Sequence, residues 1–87
     1  MELEQIIREI FLETLEEGGK ELSGELVDDS ILLDTGMDSL GFATVVAKLD
    51  NEIGYDPFTL MTTPFYPKTY GEFIGIYRKF ENHRKEP

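Results

Sequence analysis

The chain has 87 residues, which is enough for one domain, so we expect a single unit that works at its surface rather than through a deep enclosed site. Its net charge of −10 is uneven, because residues 1–56 carry fifteen acidic and three basic side chains; this repels nucleic-acid phosphates and favours protein partners with basic patches. The absence of cysteine excludes a disulfide framework, a thiolate nucleophile and a cysteine-based metal site.

The first predicted element is an amphipathic helix that ends at the glycine pair Gly18-Gly19. One face of this helix is apolar at helical spacing and consists of Leu3, Ile6, Ile7, Ile10, Phe11 and Leu15. A long connection without sustained periodicity follows over residues 20–37, with a turn at Asp28-Asp29-Ser30. We expect three apolar side chains of this loop to enter the core: Val27, Ile31 and Leu33.

The second predicted helix begins after Asp38, whose carboxylate is placed to accept hydrogen bonds from the free amides of the first turn. Counting about 100° per residue from Ser39 separates three faces. The core face holds Phe42, Val45, Val46, Leu49 and Ile53. The solvent face holds Gly41, Thr44, Lys48, Asn51 and Glu52. A third group flanks the serine and consists of Leu40, Ala43 and Ala47, and Gly54 ends the helix.

The last third of the chain is predicted to hold one short and one longer helix. Three prolines within residues 55–67 exclude a long helix there, and we expect one helical turn around Thr59–Thr63. Thr69-Tyr70-Gly71-Glu72 has the pattern of a capping box and predicts the start of the last helix. The buried stripe of that helix is Tyr70, Phe73, Ile74, Tyr77 and Phe80. Residues 81–87 are expected to be a polar, frayed tail, so the predicted fold class is all-α, a four-helix bundle with three main helices and one short helix.

The segment from Asp34 to Ile53 resembles the acyl carrier protein family, also called phosphopantetheine-binding carrier domains. The resemblance rests on the long acidic loop, the amphipathic helix behind it and the junction between them, Gly36-Met37-Asp38-Ser39-Leu40-Gly41. It implies an acyl-carrier-type bundle over residues 1–87 in which Ser39 is the attachment point of a covalent 4′-phosphopantetheine taken from coenzyme A. The position suits a phosphodiester, because free amides and the helix dipole favour an anion at a helix N-terminus.

The resemblance implies a carrier and not an enzyme. A phosphopantetheinyl transferase would attach the arm, whose thiol then holds acyl or aminoacyl groups as thioesters for delivery between pathway enzymes. The implied partners are therefore this transferase together with acyl- or aminoacyl-activating ligases, synthases or acyltransferases. In the family, partners bind beside the serine, so the candidate partner-binding residues are Asp38, Leu40, Ala43 and Ala47. The last three would serve equally well as peripheral core.

Two departures from the family pattern indicate a specialised member. Many fatty-acid-synthesis carriers have acidic residues where this chain has Gly41 and Thr44. The segment from Tyr55 to Pro67 holds residues that would reshape or close an acyl cavity, or equally form ordinary core: Phe58, Leu60, Met61, Phe65 and Tyr66. We expect a role in polyketide or nonribosomal peptide assembly, aminoacyl transfer, or envelope lipid and lipopolysaccharide acylation. A primary fatty-acid-synthesis carrier is the alternative.

Other functions fit the sequence less well. A hydrolase would pair Ser39 with His83, but Gly-x-x-Ser-x-Gly is one residue away from a nucleophile elbow. The acids between Asp28 and Asp38 lack the ligand order of a calcium-binding EF-hand loop. A helical adaptor protein in which Ser39 stays unmodified would account for every feature of the sequence except the Gly36-Met37-Asp38-Ser39-Leu40-Gly41 motif. Since no apolar run is long enough to span a membrane and no signal-peptide pattern opens the chain, we expect a cytoplasmic monomer without metal.

Overall fold

Four α-helices form within residues 2–22 and 24–85, the part of the chain that the computed structural model describes. They are α1 (Leu3–Glu17), α2 (Ser39–Ile53), the short α3 (Pro57–Leu60) and α4 (Tyr70–Lys79). Single 3₁₀ turns occur at Leu32–Thr35 and Glu81–His83. The predicted all-α bundle of three main helices and one short helix is confirmed. None of the described helices is long and apolar enough to cross a membrane.

The helix α1 lies against α2 through the apolar face that its sequence predicts. Five of its six predicted face residues are buried, and Ile10 is partly buried and packs against the same core. On the outer side of this helix pair, the Lys48 ammonium of α2 binds the carboxylates of Glu17 at 2.6 Å and Glu13 at 3.1 Å. These hydrogen bonds, with Glu17 the stronger, raise the pKa of Lys48. The helix pair is thus held by apolar packing on one side and by an ion-pair network on the other.

Aromatic rings fill the interior between α2, α3 and α4. Phe73 lies at the centre, with ring centroids 5.4 Å from Phe42, 5.2 Å from Tyr77 and 6.2 Å from Phe11. Phe58 of α3 packs against Phe42 at 5.6 Å and against Tyr77 at 6.2 Å. The predicted core faces of α2 and α4 are therefore confirmed, and α4 buries Ile76 in addition.

The loop between α1 and α2 buries different residues from those the sequence suggested. Val27, Ile31 and Leu33 are 49%, 44% and 81% exposed, so the prediction that they enter the core was wrong. The buried apolar side chains of this loop are Leu26, Leu32 and Met37. The cause is long-range, because the Leu32 amide donates to the Lys68 carbonyl at 2.9 Å and the Tyr70 amide donates to the Ser30 carbonyl at 2.9 Å. These bonds fix which side of the loop faces the bundle.

Two other elements differ from expectation. The short helix lies at Pro57–Leu60 and not around Thr59–Thr63, because the Asp56 carboxylate caps it by accepting from the Phe58 amide at 2.9 Å and Pro57 suits the first helical position. Residues 81–85 are not a frayed tail, since a 3₁₀ turn forms at Glu81–His83 and the Lys85 amide donates to the Ile53 carbonyl at 2.9 Å. The remaining two tail positions, 86 and 87, lie outside the described residues.

The start of α4 matches the sequence prediction. Thr69 and Glu72 form the full capping box, in which the Glu72 amide donates to the Thr69 hydroxyl at 3.1 Å and the Thr69 amide donates to the Glu72 carboxylate at 3.2 Å. The Lys68 amide donates to the same carboxylate at 2.7 Å. These two backbone hydrogen bonds, with the Lys68 charge as a smaller cause, hold the pKa of Glu72 below its usual value. The box fixes the segment before α4, which lies beside Ser39.

Candidate functional site

The Asp38–Ser39 junction is built by a short run of local contacts. The 3₁₀ turn ends at Gly36, whose φ of 94° lies in the left-handed region that favours glycine, and the chain then turns into α2. The Asp38 carboxylate accepts a hydrogen bond from the Gly41 amide at 2.7 Å, so the predicted N-cap is confirmed. Ser39 is the first residue of α2 and is exposed. Its hydroxyl makes no hydrogen bond to any of the described residues, so no contact within that part of the protein engages it.

Thr35 fixes the loop immediately before this junction, a role that the sequence did not reveal. Its side chain is buried, donates to the Leu32 carbonyl at 2.6 Å and accepts from the Met37 amide at 3.3 Å. A buried hydroxyl that is satisfied on both sides holds its backbone neighbours in place. The position of Asp38, and through it the position of Ser39, thus depends on a threonine three residues upstream of the cap.

The three apolar residues beside the serine lie at the surface. Leu40 is 77% exposed, and Ala43 and Ala47 are exposed as well. The alternative that they form peripheral core is therefore wrong. They form an exposed apolar edge along α2, which is available to a partner and contributes little to the fold. Their binding role stays a prediction.

Gly41 has a steric reason to lack a side chain. A β-carbon at this position would lie 2.6 Å from the Met37 sulfur and 3.2 Å from the Asp38 carboxylate oxygen. Distances this short require the methionine to move, so the close approach of buried Met37 to the first turn of α2 favours glycine. The missing acidic residue at position 41 is thus linked to how this loop packs. Thr44, the second departure, donates its hydroxyl to the Leu40 carbonyl at 2.8 Å on the same helix.

An apolar groove of about 550 Å³ opens directly at Ser39. Ser39 and Phe42 of α2 form one side, Ile31 and Leu33 come from the first loop, and Tyr66 and Lys68 come from the segment before α4. Leu33 is 81% exposed and Tyr66 is 80% exposed, although both are large and apolar in character. Two residues that the sequence left without a shared role, Leu33 and Tyr66, thus meet around the serine. We refer to this feature as the Ser39 groove.

The aromatic and proline-bearing segment between α2 and α4 divides into core and surface. Phe58 packs into the aromatic interior, which fits the interpretation of this residue as ordinary core. Leu60, Met61 and Phe65 instead line a second groove of about 750 Å³ against α4, away from Ser39. Tyr66 belongs to the Ser39 groove. The sequence could not separate these roles, because no helical or strand period runs through the segment.

The geometry separates Ser39 from the one histidine of the chain. Ser39 begins α2, whereas His83 lies in the 3₁₀ turn next to Gly54 and Tyr55 at the far end of that helix. A helix of 15 residues is about 21 Å long, so a Ser39–His83 pair does not form in this structure. Among the residues that the structure describes, no three histidine, aspartate or glutamate side chains come together as a metal site.

Comparison with protein-family models, with curated proteins and with solved structures gave no match for this chain. The family that the sequence motif suggests therefore stays a prediction. What the molecule offers directly is an exposed serine at a helix N-terminus, an apolar groove that opens at it and an apolar edge beside it.

Proposed function

We propose that the protein is a carrier whose Ser39 bears 4′-phosphopantetheine and whose thiol-bound cargo is an acyl or aminoacyl group. The observation that carries this proposal is the exposed Ser39 hydroxyl at the first residue of α2, on the edge of the Ser39 groove. An attached arm needs an oxygen that a transferase can reach and a rigid support behind it, and both are present. The cysteine-free chain has no thiol of its own, so the arm would supply the thioester chemistry.

Attachment is a single group transfer. The Ser39 oxygen bonds to the pantetheine-bearing phosphorus of coenzyme A, and the bond from that phosphorus to the bridging oxygen of the pyrophosphate breaks. The leaving group is adenosine 3′,5′-bisphosphate, and the hydroxyl proton passes to a base on the transferase. Because His83 lies at the far end of α2, this protein offers no histidine at Ser39, and in this proposal the transferase provides the base.

The residues around Ser39 fit the phosphate end of such an arm. The first amides of α2 and the positive end of its dipole lie beside the serine oxygen, and both favour an anion there. Lys68 is the one positively charged residue among those that line the Ser39 groove. Asp38 is engaged as the cap of the Gly41 amide, which keeps its carboxylate on the helix end and fixes the backbone of the serine.

The same surface supports the proposal of specialised partners. Leu40, Ala43 and Ala47 would form the apolar contact with the transferase and with ligases, synthases or acyltransferases. The absence of acidic side chains at Gly41 and Thr44 leaves this contact less charged than in the fatty-acid carriers that the chain resembles. We therefore favour a specialised cytoplasmic carrier, acting as a monomer, over the primary fatty-acid carrier.

Intact-mass measurement tests the carrier function. The purified chain is incubated with coenzyme A, Mg²⁺ and each of several phosphopantetheinyl transferases of broad specificity. We expect the mass to rise by one phosphopantetheine, with no rise for Ser39→Ala. Ser30→Ala is the matched control and should be modified like the parent, since Ser30 is not among the residues that line the Ser39 groove. Unchanged mass with every transferase, while circular dichroism shows a folded chain, overturns the carrier proposal and leaves the unmodified adaptor.

A further inference from the structure

We propose that the Ser39 groove, and not the interior of the bundle, is the binding site for the cargo, and that it takes a short apolar acyl group on an arm folded back from Ser39. This inference rests on the proposed carrier function. It identifies the class of acyl group that this chain would hold and the residues that would contact it.

The interior is closed to the cargo by aromatic packing. Phe42 lines the Ser39 groove, and the centroid of its ring lies 5.4 Å from that of Phe73 and 5.6 Å from that of Phe58 in the core. Phe73 in turn contacts Tyr77 at 5.2 Å, and Phe73 and Tyr77 are completely buried. Rings at these centroid distances are in direct contact, so a chain entering from Ser39 would have to displace Phe42 and then the core behind it.

The groove walls are apolar side chains that the fold leaves uncovered. Leu33 and Tyr66 line the groove from two different segments and are 81% and 80% exposed, and Ile31, which also lines it, is exposed as well. Contiguous exposed apolar surface in a small protein marks a binding site more often than single exposed residues do. The groove opens at the Ser39 oxygen, and this position indicates what would bind in it. Any group tethered to Ser39 is held at a high effective concentration beside the groove walls.

The two walls are held at a fixed separation, so the groove exists before any cargo arrives. The Leu32 amide donates to the Lys68 carbonyl at 2.9 Å, and Ile31 and Thr69 form a bridge between the two segments. Ile31 and Leu32 lie within two residues of Leu33, and Lys68 and Thr69 lie within three residues of Tyr66. A preformed site avoids the free-energy cost of ordering its walls on binding.

The size and charge of the groove limit the cargo. A volume of about 550 Å³ is in the range that holds a drug-sized ligand, which must here include part of the arm, so little room remains for the acyl group. Among the lining residues, Lys68 complements the phosphodiester charge, whereas Asp38 would disfavour a cargo with a free carboxylate close to the serine. A short, uncharged acyl group satisfies both limits.

The test uses protein loaded with acetyl, butanoyl, octanoyl and hexadecanoyl arms from the corresponding acyl-coenzyme A. The first readout is the change in backbone amide NMR shifts relative to the protein with the free-thiol arm. The second is the rate at which hydroxylamine cleaves the thioester, relative to the same acyl group on free pantetheine. We expect butanoyl loading to shift the amides of Leu33, Phe42 and Tyr66 and to slow cleavage several-fold.

Variants of groove residues test whether the groove is what protects the thioester from hydroxylamine. Leu33→Ser and Tyr66→Ser should each remove most of the protection without loss of folding, since both side chains are largely exposed. Val27→Ser is the matched control, because Val27 is an exposed apolar residue of the same loop that does not line the groove. It should leave both the shifts and the cleavage rate unchanged.

The outcomes separate this inference from the carrier function. Mass addition at Ser39 without shifts in the groove, or with cleavage as fast as on free pantetheine, overturns the groove site while the carrier function stands. Stronger protection of hexadecanoyl than of butanoyl, with shifts at Phe73 and Tyr77, shows uptake into the core and also overturns it. No mass addition with any donor overturns both proposals together.

Discussion

The two ends of α2 are built in opposite ways. At the C-terminal end, Ile53 and Tyr55 are buried, the Ile53 carbonyl accepts from the Lys85 amide and the Tyr55 hydroxyl donates to the Tyr77 carbonyl at 2.6 Å. At the N-terminal end, Ser39 and Leu40 are exposed and a groove opens beside them. One helix therefore anchors the bundle with one end and presents the proposed attachment point, Ser39, with the other. The difference indicates that the contacts that stabilise the fold and the residues of the proposed function lie in separate parts of the chain.

This separation has a physical advantage for a carrier. A reactive oxygen must be reachable by enzymes of different shapes, so its surroundings must stay uncovered, and uncovered apolar residues contribute little to stability. The stabilising contacts must then lie elsewhere, and in this chain they lie in the aromatic interior and at the far end of α2. Changes at the open end should alter chemistry more than folding, whereas changes at the closed end should do the reverse.

The largest expected effect comes from truncating one apolar residue at each end. Ile53→Ala should lower the free energy of unfolding by about 2–5 kcal/mol, because it empties space in a packed core. Leu40→Ala should change it by less than about 0.5 kcal/mol, because that side chain is mostly in solvent. Urea denaturation of both variants measures the difference. Equal losses would show that the N-terminal end is not the open surface described above.

A smaller effect is expected at Gly41, where the N-terminal end of α2 has no room for a side chain unless Met37 moves. Gly41→Asp should lower the free energy of unfolding by about 1–3 kcal/mol, since its β-carbon would press on the Met37 sulfur. Thr44→Glu, which adds the same charge one turn later, should change it by less than about 0.5 kcal/mol. Combining Gly41→Asp with Met37→Leu should cost less than the sum of the two single changes. A Gly41→Asp protein as stable as the parent would remove the steric explanation for this glycine.

The smallest changes in the free energy of unfolding are expected for Tyr55 and Tyr77, near the C-terminal end of α2, and they should differ between the two tyrosines. Tyr55→Phe should lower the free energy of unfolding by about 1–2 kcal/mol, because it leaves the buried Tyr77 carbonyl without its hydroxyl donor. Tyr77→Phe should be neutral or stabilise by up to about 1 kcal/mol, because the buried Tyr77 hydroxyl has no hydrogen-bond partner within the described residues. Thermal and urea unfolding of both variants and the double variant measure these values. A loss in Tyr77→Phe as large as in Tyr55→Phe would show that this hydroxyl is paired.

Much of the fold could be predicted because its signals are local. The three main helices, the Asp38 cap and the Thr69–Glu72 capping box follow from periodicity and from contacts within one helical turn. The predicted position of the short helix was wrong because the start of this helix is set by the Asp56 cap and by Pro57 at the first helical position. The prediction for the loop was wrong for a different reason, since an irregular segment has no period that indicates which of its side chains are buried.

For the candidate site too, the features that local signals set could be predicted, and those that depend on distant parts of the chain could not. The sequence places Ser39 at the first position of α2, because a cap and the helix that it opens are set within four residues. Only the tertiary structure decides that Leu32 and not Leu33 is buried and that Tyr66 lines the same groove as Leu33. These two outcomes depend on hydrogen bonds and packing between segments more than 30 residues apart along the chain, as in the bond from the Leu32 amide to the Lys68 carbonyl. The sequence thus determines where the Ser39 oxygen, the proposed attachment point, lies, and the long-range contacts decide what surrounds it.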